Sequence, residues 1–443
     1  MGRRPMRQTV SLWWMLRRRS AGRSDPQGLT AVLATIAFAV TTAVVLVVLG
    51  GVLAFQERAV GADEFSDAAV YPILAYVAAG LLVIPIVTLG AAAARLAMAR
   101  RDARLAALRL AGATTSQVGL LTLLEAASQA VVGAVLGVVG YLALIPLVAQ
   151  LRFQNRTFEL AELWVGPGYV ALAVLAVVVL ALGSAALSLR RVAITPLGVA
   201  ARVTPKGLSW LRVVPVVVAG GAWIALLNSP YAGIGILLAV LLVGFAILNV
   251  VGPFVVWLIG RVTTARARSA ATLIAGRRIL DSPKTAWRTV GGVSLATFIA
   301  GMASVMSVLT GADADVVTRD MATGGFLTLG IAGLLAAVSA GVMQSGRIID
   351  QRAEYRTLAL TGAGLGVMRS AQLREIVIPL LVGMGVAAGF SLMFLVPMLG
   401  FSAVTDPSVV LQFAVSVLAA FALVIAGVLA SRRVLRTVLT QEA

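Results

Sequence analysis

Long apolar runs separated by short charged segments make up most of the chain. A bilayer core of about 30 Å needs roughly 20 helical residues to cross it. The sequence therefore predicts an all-α polytopic membrane protein with about ten transmembrane helices. These spans are placed at 29–55, 71–98, 118–150, 167–189, 212–228, 231–259, 288–311, 322–346, 371–399 and 408–430.

Composition and charge agree with a membrane protein. Of the 443 residues, 60% are hydrophobic and only 12% are charged, whereas soluble domains carry about 25% charged residues. The net charge of +18 would suggest nucleic acid in a soluble protein, but the basic residues cluster in connections on one side of the apolar runs. This positive-inside pattern predicts a bacterial inner-membrane protein with both termini cytoplasmic and no nucleic-acid partner. The basic segment 1–28 is expected to meet membrane lipids, and 435–443 is a cytoplasmic tail.

The chain has no cysteine and no histidine. This excludes disulfides, imidazole catalysis and the usual zinc ligand sets, and we predict no catalytic residue and no metal site. No Gly-x4-Gly-Lys-Ser/Thr loop is present, so the chain is not expected to bind ATP or any other cofactor.

A charged stretch after the second span recurs after the eighth. Leu108-Arg-Leu-Ala-Gly-Ala is matched 250 positions later by Leu358-Ala-Leu-Thr-Gly-Ala, and Glu125 and Glu375 follow in the same register. This register predicts an internal duplication. The first repeat covers 71–192 with spans 2–4, and the second covers 322–434 with spans 8–10. Span 1 (29–55) and the region 193–321 with spans 5–7 lie outside the repeats.

Each stretch has the periodicity of a short amphipathic helix on the cytoplasmic surface. Such a helix between two spans could act as a lever for a soluble partner. A tight inner loop, in which the glycines end helices, explains the same pattern, so both interpretations stay open. The residues predicted to take part in coupling are Arg101, Arg104, Leu108, Gly112, Arg352, Glu354, Leu358 and Gly362.

Two glutamates and four glycines complete the candidate residues. Glu125 and Glu375 each lie about two turns into a span, where an unpaired charge is costly, so each should have a partner; Arg104 and Arg374 are candidates. Small residues at helical spacing in spans 3 and 9 favour close helix packing, and the alternative is that these spans border a moving seam. The glycines are Gly133, Gly137, Gly383 and Gly385.

The order of these features resembles the FtsX-like permease domain of ABC transporters. A span is followed by a basic stretch, by Leu-x-Leu-x-Gly-Ala and by a re-entering span with an early glutamate. Two such domains in a ten-span chain are similar to bacitracin-efflux permeases. The resemblance implies a non-enzymatic membrane subunit that binds two copies of a separate ATPase, which holds ATP and Mg. The chain departs from that type between spans 7 and 8, where a large extracellular domain is replaced by the short segment from Gly311 to Met321.

Three functions follow from these observations. The first is an ABC permease that exports or extracts a hydrophobic or amphipathic substrate, such as a lipid or a peptide antibiotic. The second is a mechanical transmitter that acts on an extracytoplasmic partner, which the short outer loops disfavour. The third is a secondary carrier, which is disfavoured because no charged residue falls near the middle of a span.

Overall fold

The computed structural model describes residues 26–61, 67–98, 114–194, 214–227, 234–308, 315–350, 365–400 and 405–440. Within these ranges the chain forms eleven helices and one two-stranded hairpin. The helices are α1 (Pro26–Arg58), α2 (Asp67–Met98), α3 (Thr115–Ala149), α4 (Gly166–Ile194), α5 (Val214–Leu227), α6 (Ile234–Ala265), α7 (Ala270–Asp281), α8 (Pro283–Val308), α9 (Val316–Asp350), α10 (Leu365–Leu399) and α11 (Pro407–Thr440). The strands are β1 (Arg152–Phe153) and β2 (Arg156–Thr157).

Each of the ten predicted spans coincides with one helix. Seven of the described helices are long and apolar enough to cross a bilayer, and the segments Val290–Ser304 and Pro407–Leu423 are shorter apolar helices. The chain is therefore an all-α polytopic membrane protein, as predicted from the spacing of its apolar runs.

Local sequence signals explain where several helices begin. Proline is favoured at the first helical position, because its missing N–H needs no partner there. α1, α8 and α11 all start at a proline. At α11 the preceding Asp406 accepts a hydrogen bond from the backbone N–H of Ser408 at 2.8 Å. These three starts therefore follow from the local sequence.

Eight of the eleven described helices form two sets of four. α1 is in contact with α2, α3 and α4, and α8 is in contact with α9, α10 and α11. We call α1–α4 the first half and α8–α11 the second half. The predicted repeats contained three spans each and left out spans 1 and 7, but α1 and α8 hold equivalent positions in their halves. The two halves thus share a pattern of helix contacts, and the duplication of spans 2–4 and 8–10 stays a prediction from the sequence.

The contacts between the halves are made mainly by α2 and α9, with smaller contributions from α1 and α8. α3 and α10 instead pack against α1 and α8 of their own halves. Among the described residues, spans 2 and 8 rather than spans 3 and 9 make the main contact between the halves, so the alternative in which spans 3 and 9 border a moving seam gains no support here. Phe38 and Leu82 of the first half share one continuous buried core with Phe298 and Leu335 of the second.

Sequence reasoning missed the short helix α7, which lies in a segment treated as an inner loop. Ser269 begins it by accepting a hydrogen bond from the Thr272 N–H at 3.3 Å. Ala271, Ala275 and Ile279 recur every four residues and are buried. This stripe was a detectable signal for an amphipathic helix. α7 packs against α6 and α10.

Candidate functional site: a cavity between the two halves

An apolar cavity of about 240 Å³ lies between the halves, near the predicted outer ends of α1, α2, α8 and α9. All of its lining residues are buried or half-buried. Most carry aliphatic or aromatic side chains, among them Val47, Val52, Phe55, Leu81, Leu82, Phe298, Ile299, Met302 and Ile331. A space of this kind accepts hydrocarbon and excludes strongly hydrated groups. We call it the outer cavity.

The connection between α3 and α4, residues 150–165, closes one side of the outer cavity. Phe153 and Phe158 of this connection line the cavity wall. The two strands are joined by Gln154 and Asn155, which both have positive φ (56° and 58°). Two such residues form the tight turn whose twist suits antiparallel strands. We call residues 150–165 the outer hairpin loop.

A buried arginine fixes this loop to the end of α1. The side chain of Arg58 is only 2% exposed and lies 2.6 Å from the Glu162 carboxylate. Its guanidinium also donates to the carbonyl oxygens of Phe153 (3.3 Å) and Thr157 (3.0 Å). The guanidinium carbon lies 4.2 Å from the centre of the Phe158 ring. A planar guanidinium can satisfy several acceptors at once, so one residue holds both ends of the hairpin.

The electrostatics of this contact favour the ionised form of Glu162. The hydrogen bond from Arg58 is the main reason that the pKa of Glu162 lies below its ordinary value of 4.5, and the Glu159 backbone N–H adds to the effect. The loop is therefore held most firmly when Glu162 is charged.

Asp320 links the outer hairpin loop to both halves. It is 8% exposed and lies in the wall of the cavity, near the start of α9. Its Oδ2 atom accepts a hydrogen bond from the Tyr71 hydroxyl of α2 at 2.6 Å and one from the Gln154 N–H at 2.6 Å. This contact could not be predicted from the sequence, because Tyr71 and Asp320 are 249 positions apart.

A second buried charge pair lies at the predicted cytoplasmic end. Glu375, ten residues after the start of α10, is 6% exposed, and its Oε2 atom lies 3.5 Å from Nη1 of Arg278 on α7. Arg374 was a candidate partner, but it donates instead to Ser269 Oγ at 2.6 Å and to the hydroxyl of Thr272. Consecutive residues point to different sides of a helix, which is why the neighbour in sequence does not make the pair. The pair joins α7 to the helix that follows the second predicted coupling stretch.

The remaining candidates are the coupling residues, Glu125 and the four glycines. The predicted coupling residues at 101–112 and 352–362, with Arg104 as the proposed partner of Glu125, lie outside the described residues. Glu125 is half-buried, ten residues after the start of α3, and thus in the same helical position as Glu375. Among the described residues, no group of acidic side chains converges that could hold a metal ion.

The glycines differ in their surroundings. A Cβ at Gly133 would lie 2.6 Å from the Phe38 Cβ, and one at Gly137 would lie 2.5 Å from the Ala39 carbonyl oxygen, so α3 approaches α1 closely at both. A Cβ at Gly383 would lie 2.5 Å from the Ser294 hydroxyl of α8. The packing prediction is wrong for Gly385, where no described atom lies within 4 Å of a Cβ, because this side of α10 faces away from its neighbours.

Comparison with known proteins bears on the first half. The family model described as FtsX-like permease C-terminal matches residues 76–197. No curated protein and no solved structure matches the chain. The matched region covers most of α2 and all of α3 and α4, and it closely follows the first predicted repeat at 71–192. Residues 76–197 of this multi-pass membrane protein therefore match the FtsX-like permease family.

Proposed function

We propose that the chain is the membrane subunit of an ABC transporter that exports or extracts a hydrophobic or amphipathic substrate. Energy comes from ATP hydrolysis on a separate ATPase, which holds ATP and Mg. The FtsX-like match over residues 76–197 is the observation that carries this proposal. The segments near 100–113 and 351–363 are the proposed contacts with the ATPase, two copies of which bind one permease chain.

The outer cavity supports an apolar cargo. It lies where the two halves meet, so relative movement of α2 and α9 would change its shape. Its wall is almost entirely hydrocarbon. Apolar surface that moves from water into such a space is stabilised by about 25 cal/mol per Å².

The buried pair between Arg278 and Glu375 supports a path for the motion. The pair connects α7 to α10 a few turns beyond the proposed second ATPase contact. α10 in turn packs against α8 along its length; for example, the Ser391 hydroxyl donates to the Phe298 carbonyl at 3.1 Å. A displacement at the start of α10 would therefore reach Phe298 in the cavity wall through directly packed side chains.

The test is to purify the chain together with candidate ABC-type ATPase subunits encoded in the same genome. The complex is placed in lipid nanodiscs, and ATP hydrolysis is measured with and without candidate lipids and peptides. A stable complex whose hydrolysis responds to an apolar ligand is expected, with a native mass of one permease and two ATPase chains. Absence of any ATPase partner would overturn the proposal. A complex that ignores all apolar ligands but responds to an outer protein would assign the chain to the mechanical transmitters instead.

A further inference from the structure

We propose that the outer cavity is selective for amphiphiles with one apolar chain and a net positive head group, which is held by Asp320. This inference rests on the proposed function and specifies its substrate class. It places the chain of the ligand between α1, α2, α8 and α9, and the head group at the end where the outer hairpin loop meets α9.

The argument starts from the charge of the wall. Among the described residues that line the outer cavity, Asp320 is the one acidic side chain, and none is Lys or Arg. A carboxylate that is about nine-tenths buried would be costly without compensation. Two hydrogen bonds, from Tyr71 and from the Gln154 N–H, provide part of that compensation.

Both of these hydrogen bonds go to the same oxygen, Oδ2. Within the described residues, Oδ1 receives no hydrogen bond and Asp320 has no salt bridge. A carboxylate can accept about four hydrogen bonds through its two oxygens, so half of its capacity remains for a ligand. A cation near Oδ1 would be attracted strongly, because the surrounding wall is apolar and screens charge poorly.

The same features argue against other head groups. An anionic head group would be repelled by Asp320. A zwitterionic phospholipid head group would bring a phosphate into a wall whose described residues include no cationic side chain to receive it. The size of the space, about 240 Å³, is below the usual range for drug-sized ligands, which suits a single chain better than a two-chain lipid.

The experiment measures equilibrium binding of three probes with the same twelve-carbon chain to the full-length permease in nanodiscs, with empty nanodiscs as the blank. The probes are dodecylammonium, uncharged dodecanol and zwitterionic dodecylphosphocholine. We expect the cationic probe to bind at least tenfold more tightly than the other two, which corresponds to about 1.4 kcal/mol. Equal binding of all three, or preference for the zwitterion, would overturn the proposal.

Variants locate the site. Asp320→Asn should abolish the preference for the cation and leave dodecanol binding unchanged, whereas Tyr71→Phe, which keeps the carboxylate, should retain the preference. Gly51→Leu should weaken all three probes, because Gly51 lines the cavity and its Cβ position is empty. Gly183→Leu is the matched control, since its Cβ position on α4 is also empty but lies away from the cavity. Equal effects of the two leucine variants would refute the location.

Failure of this inference is distinguishable from failure of the proposed function. The binding assay needs no ATPase, and the wild-type comparison of probes stays informative even if Asp320→Asn does not fold. An ATP-dependent complex with no preference for cationic amphiphiles would leave the transporter assignment intact and remove only the selectivity.

Discussion

The buried pair between Arg278 and Glu375 should have a measurable interaction energy. We consider Arg278→Met and Glu375→Gln, singly and together, since both changes remove charge and keep much of the side-chain volume. At 3.5 Å and an effective dielectric of about 20, the gross attraction is roughly 5 kcal/mol. Desolvation of two side chains that are only 11% and 6% exposed offsets much of this gain. We therefore expect a net coupling of about 1–2 kcal/mol.

The assay is reversible unfolding of the purified protein in mixed micelles, with the free energy of unfolding measured for the wild type, both single variants and the double variant. The sum of the single losses should exceed the loss in the double variant by the coupling energy. Arg277→Met, in a cycle with Glu375→Gln, is the control, because Arg277 is the exposed neighbour of Arg278 on α7. If the cycle with Arg278 is additive to within about 0.5 kcal/mol, the two side chains do not form the pair.

Three further predictions concern other parts of the molecule. Gly133→Ala should lower the free energy of unfolding by about 1–3 kcal/mol through overcrowding against α1. Gly183→Ala, in open space, should not lower it. Equal unfolding curves for the two variants would contradict the close approach of α3 to α1 at Gly133. Glu162→Gln should lower the unfolding midpoint near pH 7, because the charged form of Glu162 stabilises the loop. The difference from the wild type should vanish as the pH falls through the lowered pKa of Glu162. A pH-independent difference would rule out the ion pair as the cause. Bulky β-branched residues at Gly112 and Gly362 together should uncouple ATP hydrolysis from transport with the spans still inserted, and unchanged coupling would argue against a lever at these positions.

The helices were predictable because each is encoded locally. A run of about 20 apolar residues has few alternatives to a membrane helix, since no other open structure satisfies its backbone within lipid. Prolines and their preceding polar residues then define where the helices begin, as at Asp406. The amphipathic helix α7 carried an equally local signal, but its 12 residues are too short to be found by counting spans.

The outer cavity could not be predicted in this way, because its parts are brought together only by packing. Arg58 reads in sequence as one basic residue at the end of an apolar run, and its partner Glu162 lies 104 positions away. Asp320 reads in sequence as one of several acidic residues in outer segments. Nothing local distinguishes it from exposed neighbours such as Asp315, and its burial follows from the contact of α9 with Tyr71 and the hairpin.

Glu125 and Glu375 show what the 250-residue offset between the two stretches predicts and what it does not predict. Their equal positions in α3 and α10 followed from the 250-residue offset. The partner of Glu375 could not be predicted from this offset, because Arg278 belongs to α7, outside the predicted repeats. Repetition in sequence thus identifies positions that matter, while the residues that serve them can come from elements that are not repeated.

Because of the outer hairpin loop, the two similar halves contribute unequally to the cavity wall. The connection between α3 and α4 supplies aromatic side chains to the cavity wall, whereas the equivalent connection between α10 and α11 spans only 400–406 and supplies none of the described lining. The described lining of the cavity thus takes a connecting loop from the first half and none from the second. The approximate symmetry of the helices therefore coexists with a cavity wall to which the two halves contribute unequally.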